Sequence, residues 1–205
     1  MEVQNGEEVW KLTGAKCSIV EVWKVIRTRK EKAEWHRLLW SSLTIPKHSV
    51  IVWMVVLNRL PTLDRLLSWG IVSRGECCLC HEVIETRDHV FLNCHYSKEI
   101  WGMILSHCGI SRVIGRWEEE LKWVISSAKG KKLTSAILIV AWRTHIYHIW
   151  RERNGRIHGQ TGKTPVQIFK LIQDDVRTRL AGLKNINATY VNRQLCNRWR
   201  IQEVC

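Results

Sequence analysis

Four residues constrain this chain more than any others: Cys77, Cys80, His89 and Cys94, spaced Cys-x2-Cys-x8-His-x4-Cys. Three thiolates and one imidazole suit a tetrahedral structural zinc with no open coordination position. The short gap lets one tight turn present two sulfurs to one ion. The longer gap is a loop that the metal closes, with His89 and Cys94 returning from a second element. Any fold built on this sequence has to bring residues 77–80 and 89–94 to one point. Four protein ligands leave no place for an activated water, so the spacing predicts a structural ion and not a catalytic one.

The chain has eight Cys in all. Its first residues, Met1-Glu2-Val3-Gln4-Asn5-Gly6-Glu7-Glu8, show neither a basic stretch nor an apolar one, so no secretory signal is expected. The longest apolar runs, Val50–Leu57 and Ala136–Trp142, are too short to span a bilayer. In a reducing compartment a Cys-x2-Cys pair is expected to bind metal and not to form disulfides. Without secretion, the glycosylation-type Asn187-Ala188-Thr189 carries no meaning. Other chemistries find little support. A cysteine nucleophile needs a base and an orienting group, and Cys80 beside His81 is adjacency only. The deaminase pattern needs His-x-Glu ahead of Pro-Cys-x-x-Cys, whereas here the His follows the cysteines.

The formal net charge is +13, with pI ≈ 9.7. Acidic partners follow, nucleic acid first and an anionic membrane surface second, unless the charge is simply a solvated basic surface. Twelve Trp against two Phe and three Tyr is unusual. Large amphipathic rings suit contacts between short helices.

Along the chain, Val9–Leu12 is a weak strand pattern. Ile19, Val22, Trp23 and Ile26 share one helical face. The basic cluster Arg27, Arg29, Lys30 and Lys32 suits the end of that helix. Trp35, Leu38, Leu39 and Leu43 form a second short amphipathic pattern. Pro46 sits where a helix can start. For Val50–Leu57, periodicity leaves buried strand and buried helix both open. Thr62 is placed to cap a helix over Leu63–Trp69, with Gly70 as the stop. A helix from Ser97 carries Ile100, Trp101, Ile104, Leu105 and Cys108 on one side and stops at Gly109. Trp117–Ala128 has three acids in its first turn, where they favour a helix. Leu133–Arg153 is the longest helical stretch, with Asn154-Gly155 as its expected end.

Thr164-Pro165-Val166-Gln167 has capping-box form with Pro at the first helical position. The following apolar face is Ile168, Phe169, Ile172, Val176, Leu180 and Leu183. Lys163, Lys170, Arg177 and Lys184 recur every seven residues along the opposite side. That stripe either tracks a phosphate backbone or forms a solvated charged face, the commoner use of such a pattern. Residues 186–205 lack periodicity and are expected to be loosely ordered.

Several motifs then fall in a specific order. They are Asn58-Arg59-Leu60-Pro61-Thr62-x-Asp64-Arg65-Leu66-x-x-Trp69-Gly70, Cys77-x2-Cys80, Glu85-Thr86-x-Asp88-His89-Val90-Phe91, Cys94 and Ile100-Trp101. Over approximately residues 19 to 108 the chain resembles the zinc-binding domain that lies C-terminal to the reverse transcriptase of plant non-LTR, LINE-like retrotransposons. Ile149-Trp150-x-Glu152-Arg153-Asn154 resembles a segment that often follows that domain. The resemblance implies a mostly helical module clamped by zinc, on a nuclear protein that copies RNA into DNA. It implies that Val50–Leu57 is a buried helix, and that Cys77, Cys80, His89 and Cys94 occupy the family's metal positions. Cys78, His81 and His95 are spare donors beside them, for which no coordination is the ordinary expectation.

The polymerase part of such a protein has no counterpart here. No Tyr/Phe-x-Asp-Asp appears, and Asp174-Asp175 lies inside a basic helix pattern. No endonuclease or ribonuclease H pattern is visible, so the chain is not expected to polymerise DNA. The sequence therefore predicts a mainly α-helical protein. An N-terminal segment spans 1–45, a zinc-binding module 46–110, a helical C-terminal region 111–185 and a tail 186–205. Its expected partners are RNA or single-stranded DNA and a separate polymerase region. A protein-interaction scaffold and a non-functional element remnant are the alternatives.

Overall fold

A computed structural model describes residues 32–130, 132–183 and 186–201. The strand pattern at Val9–Leu12, the helix pattern from Ile19 and the basic residues 27–30 lie outside these. The described residues from Glu34 onward belong to one compact unit.

Helices make up nearly all of its regular structure. They are α1 (His36–Leu39), α2 (Pro46–Val56), α3 (Leu63–Ser68), a π-helical turn (His89–Asn93), α4 (His95–His107), α5 (Trp117–Ser127), α6 (Leu133–Ile157), α7 (Pro165–Leu180) and α8 (Tyr190–Trp199). One antiparallel bridge, Glu76 to Ile84, is the only β pairing among the described residues.

Helix α6 is the central post. It packs against α2, α4, α5, α7, α8 and the π turn. Val140 to Ile146 are buried without a break, so this part is enclosed on all sides. Its Trp142 meets Trp101 of α4 edge-on at 4.9 Å and Trp117 of α5 at 5.8 Å. Trp101, Trp117, Trp142 and Trp199 are all fully buried. The tryptophans thus do serve as wedges between helices.

Local signals set several ends as expected. Pro46 opens α2 at a first-turn position. Gly70 and Gly109, with φ of +70° and +69°, follow α3 and α4 in the left-handed region that favours glycine. At α7 the Thr164 hydroxyl accepts from the Gln167 amide at 3.3 Å, and the Gln167 side chain accepts from the Thr164 amide at 2.8 Å.

Other expectations need correction. Helix α2 is not buried all round: Val52 and Val55 face the core, but Val50 and Trp53 are 48% and 40% exposed. Only one face packs, on α1 and α6. Thr62 does not cap α3. Its hydroxyl bonds Asp64, and the Leu63 amide donates instead to Glu85 Oε1 at 2.9 Å. Helix α4 starts at His95, two residues before Ser97, with Cys94 at its N-cap. Helix α6 runs through Asn154-Gly155 to Ile157. Gly155 falls in its last turn, and Arg153 and Arg156 on either side are anchored by contacts described below. The segment expected to be loosely ordered carries α8. Thr189 caps it by accepting from the Asn192 amide, and Leu195, Cys196 and Trp199 are buried.

Candidate metal centre

The cysteine pair sits in a hairpin. The bridge between Glu76 and Ile84 is extended by the Cys77 amide donating to the Val83 carbonyl and the Glu85 amide donating to the Gly75 carbonyl, each at 2.8 Å. At the tip the His81 amide closes onto the Cys77 carbonyl at 2.8 Å. His81 takes φ +60°, a left-handed kink that lets the turn close. Amides of Leu79 and Cys80 point at the Cys77 sulfur.

The second pair frames the π turn. His89 begins it, and the Cys94 amide donates back to the His89 carbonyl at 2.7 Å. Thr86 positions the turn by accepting from the His89 amide at 3.2 Å. Val90, Phe91 and Leu92 then bury three consecutive side chains. At the start of α4, amides of Tyr96 and Ser97 point at the Cys94 sulfur. Ser97 fastens this corner by donating to the Val90 carbonyl.

These elements bring Cys77, Cys80, His89 and Cys94 together, with their donor atoms all within 4.8 Å of one another. Cys80 Sγ lies 3.2 Å from His89 Nε2. Cys77 and Cys94 are fully buried, whereas Cys80 and His89 are half-buried. Cys77 and Cys94 share a hydrogen bond. It pulls the Cys77 thiol down and pushes the Cys94 thiol up, with burial adding to the rise at Cys94. A divalent cation would bind both as thiolates and release whatever protons they carry. A zinc–sulfur bond of about 2.3 Å places tetrahedral sulfurs about 3.8 Å apart, so four donors at this spacing fit such an ion after small adjustments. Among the described residues this is a metal-binding type of cluster in a helical protein.

The spare donors separate. Cys78 turns away from the cluster, and its thiol donates to the Arg153 carbonyl at 3.5 Å. Burial, then the Glu85 charge, pushes that thiol up to about 11. His95 pairs at the surface with Glu82.

Two arginines of α6 were not found by sequence reasoning, yet they hold the hairpin. Glu85 is fully buried, and Arg153 grips its carboxylate through Nε at 3.0 and 3.1 Å and a terminal nitrogen at 2.7 Å. Arg153 also donates to the Pro61 carbonyl at 3.3 Å. One carboxylate thereby joins the hairpin, the start of α3 and the central helix. Three motifs distant in sequence, at Pro61, Glu85 and Arg153, meet at this point. Arg156, one turn on, donates to the Leu79 carbonyl at 3.3 Å and to Glu152 at 2.9 Å. Glu152 in turn accepts from the Lys163 amide at 2.7 Å. The Arg153 motif was the available signal, but its 68-residue separation from Glu85 hid the pairing.

The basic stripe is less uniform than its spacing suggests. Lys163 precedes α7, with its ammonium 3.9 Å from Glu152. Arg177 pairs with Asp174 at 3.1 Å. Lys170 is exposed, and Lys184 lies outside the described residues. No described helix is long and apolar enough to cross a membrane.

Residues 18–101 match the family model described as zinc-binding in reverse transcriptase. That stretch contains all four donors. No curated protein and no solved structure gives a significant match.

Proposed function

We propose that this chain is a zinc-binding, nucleic-acid-associated region of the reverse transcriptase of a plant non-LTR, LINE-like retrotransposon, working in the nucleus beside a polymerase carried elsewhere. The observation that carries the reading is the convergence of Cys77, Cys80, His89 and Cys94 inside the stretch that matches the family. Zinc is the ion that three thiolates and an imidazole favour. Filled by four protein ligands, it would act as a clamp between hairpin and helix and offer no position for substrate. The +13 net charge supports a polyanionic partner.

The test pairs metal analysis with binding. Purified protein is expected to carry one zinc per chain. Fluorescence anisotropy with RNA and single-stranded DNA oligonucleotides is expected to show affinity falling steeply as salt rises. Affinity that stays weak at low salt would remove nucleic acid from the reading.

A second reading, a protein-interaction module, is favoured by one observation. Leu67, Trp69, Ile71, Val83 and Ile84 are apolar and exposed around the hairpin and the end of α3. Leu67 and Ile84 both approach Gly75, so part of this surface is continuous. Loss of binding to a polymerase fragment on Trp69→Ser, with nucleic-acid affinity unchanged, would support it.

A further inference from the structure

The four-donor cluster is closed on one side and open on the other. Its buried wall is Cys77 and Cys94, and its half-buried side is Cys80 and His89. Near that open side stand two groups the clamp does not use. Glu82 and His95 are 64% and 61% exposed at the side chain, with His95 Nδ1 3.5 Å from Glu82 Oε1. The Cys80 sulfur, a Glu82 oxygen and a His95 nitrogen all lie within 4.8 Å of one another. Each outer donor is tethered beside an inner one. Glu82 follows Cys80 by two residues around the hairpin tip, and His95 directly follows Cys94.

We propose that Cys80, Glu82 and His95 form an outer capture site for a divalent metal ion, through which the ion enters and leaves the inner cluster, with Cys80 common to both. The inference rests on the inner cluster being a metal site. Thiolate, carboxylate and imidazole are all zinc donors, and three protein ligands leave positions for water, so an ion held there stays exchangeable. The hydrated ion first exchanges water for the carboxylate oxygen and the imidazole nitrogen. Cys80 then binds as its thiol proton passes to solvent. From there the ion would pass about the Cys80 sulfur to His89, Cys77 and Cys94, with any thiol protons released to solvent. No electron changes hands. Uptake and release use the same steps in opposite order. Removing the outer donors therefore slows both by one factor and leaves the equilibrium affinity unchanged.

The experiment uses the full chain and its Glu82→Gln/His95→Gln variant. Stopped-flow measures zinc uptake by the metal-free protein and release to excess EDTA, and metal analysis gives the stoichiometry. Both rates are expected to fall by the same factor, roughly tenfold for each ~1.4 kcal/mol by which the outer donors lower the barrier. One zinc per chain is expected to remain in both proteins. The slowing is expected to persist at ~0.5 M salt, where simple attraction by the Glu82 charge is screened. Unchanged rates would overturn the proposal, as would a slowing that disappears at high salt. Weaker equilibrium binding with unchanged uptake would also overturn it, by making the two residues static supports. Failure of the underlying reading looks different: wild-type protein would bind no zinc, or bind it with Cys77 and Cys94 both replaced by Ser.

Discussion

Replacing Arg153 by Met tests the join between hairpin and central helix. The change removes three contacts to a carboxylate that has no solvent exposure, and leaves Glu85 with the Leu63 amide as its remaining side-chain partner. Breaking a buried pair by removing one member costs about 3–5 kcal/mol, chiefly because the other charge stays unpaired. Domains have only about 5–15 kcal/mol in total, so the variant is expected to be barely stable. At about 2–4 °C per kcal/mol for a chain of this size, the Tm should fall by about 6–20 °C. Removing both charges in Glu85→Leu/Arg153→Met should recover most of that. The residual cost is about 1 kcal/mol, for the α3 amide that loses its cap. Urea unfolding of the metal-loaded protein, followed by tryptophan fluorescence, measures all four corners of the cycle. A loss below about 1 kcal/mol for Arg153→Met would refute the reasoning, since it would mean Glu85 is not held as a buried ion. A double variant as unstable as the two single losses summed would refute it equally.

Cys80→Ser is expected to lower zinc content well below one per chain and to lose protection of the hairpin amides in hydrogen exchange, because metal binding and folding are coupled; full zinc occupancy would show that Cys80 is not a ligand. His145 lies beneath the π turn, and burial pushes its imidazole from 6.5 down to about 4, against a hydrogen bond to the Phe91 carbonyl. The unfolded chain takes up that proton first. The stabilising neutral form is thus fully present above about pH 6.5 and its contribution is lost as pH falls toward 4, at up to about 1.4 kcal/mol per pH unit. His145→Gln should flatten the stability profile in that window relative to wild type, and identical slopes would show that the ring protonates freely in the fold. Thr164→Ala removes a formed capping box and should cost about 1 kcal/mol in urea unfolding, with no change in zinc content.

What could be read from the sequence was what neighbours in sequence decide. The Cys77–Cys80 turn, the Gly70 and Gly109 stops and the Thr164 box depend on residues two to five apart, where backbone geometry leaves few choices. Thr62 shows where this fails. Its position suits a cap, but its hydroxyl bonds Asp64, and Glu85, over twenty residues away, takes the first helical amide, that of Leu63. Gly155 fails likewise. Its intrinsic cost was visible, while the contacts that carry α6 past it involve Glu85, Leu79 and Pro61 in other elements. In α8, Leu195, Cys196 and Trp199 are too few to mark a helix by spacing, although the neighbouring α4, α6 and α7 supply the surface they bury against. The apolar run of α2 left strand and helix open, and the family resemblance implied the helix but not which face finds a partner.

The hairpin is held twice, and the two holds are linked. From within, four donors can close on one ion. From outside, Arg153 and Arg156 fix Glu85 and the Leu79 carbonyl, and both come from a helix beyond the stretch that matches the family model. An ion that binds only the assembled hairpin stabilises every contact the hairpin needs in order to assemble, and those contacts raise the affinity for the ion by the same free energy. Helix α6 is therefore part of the metal centre in the energetic sense, though it supplies no ligand. The physical module reaches at least from the π turn and its hairpin to Arg156, and a boundary drawn after the last cysteine ligand would cut through its supports.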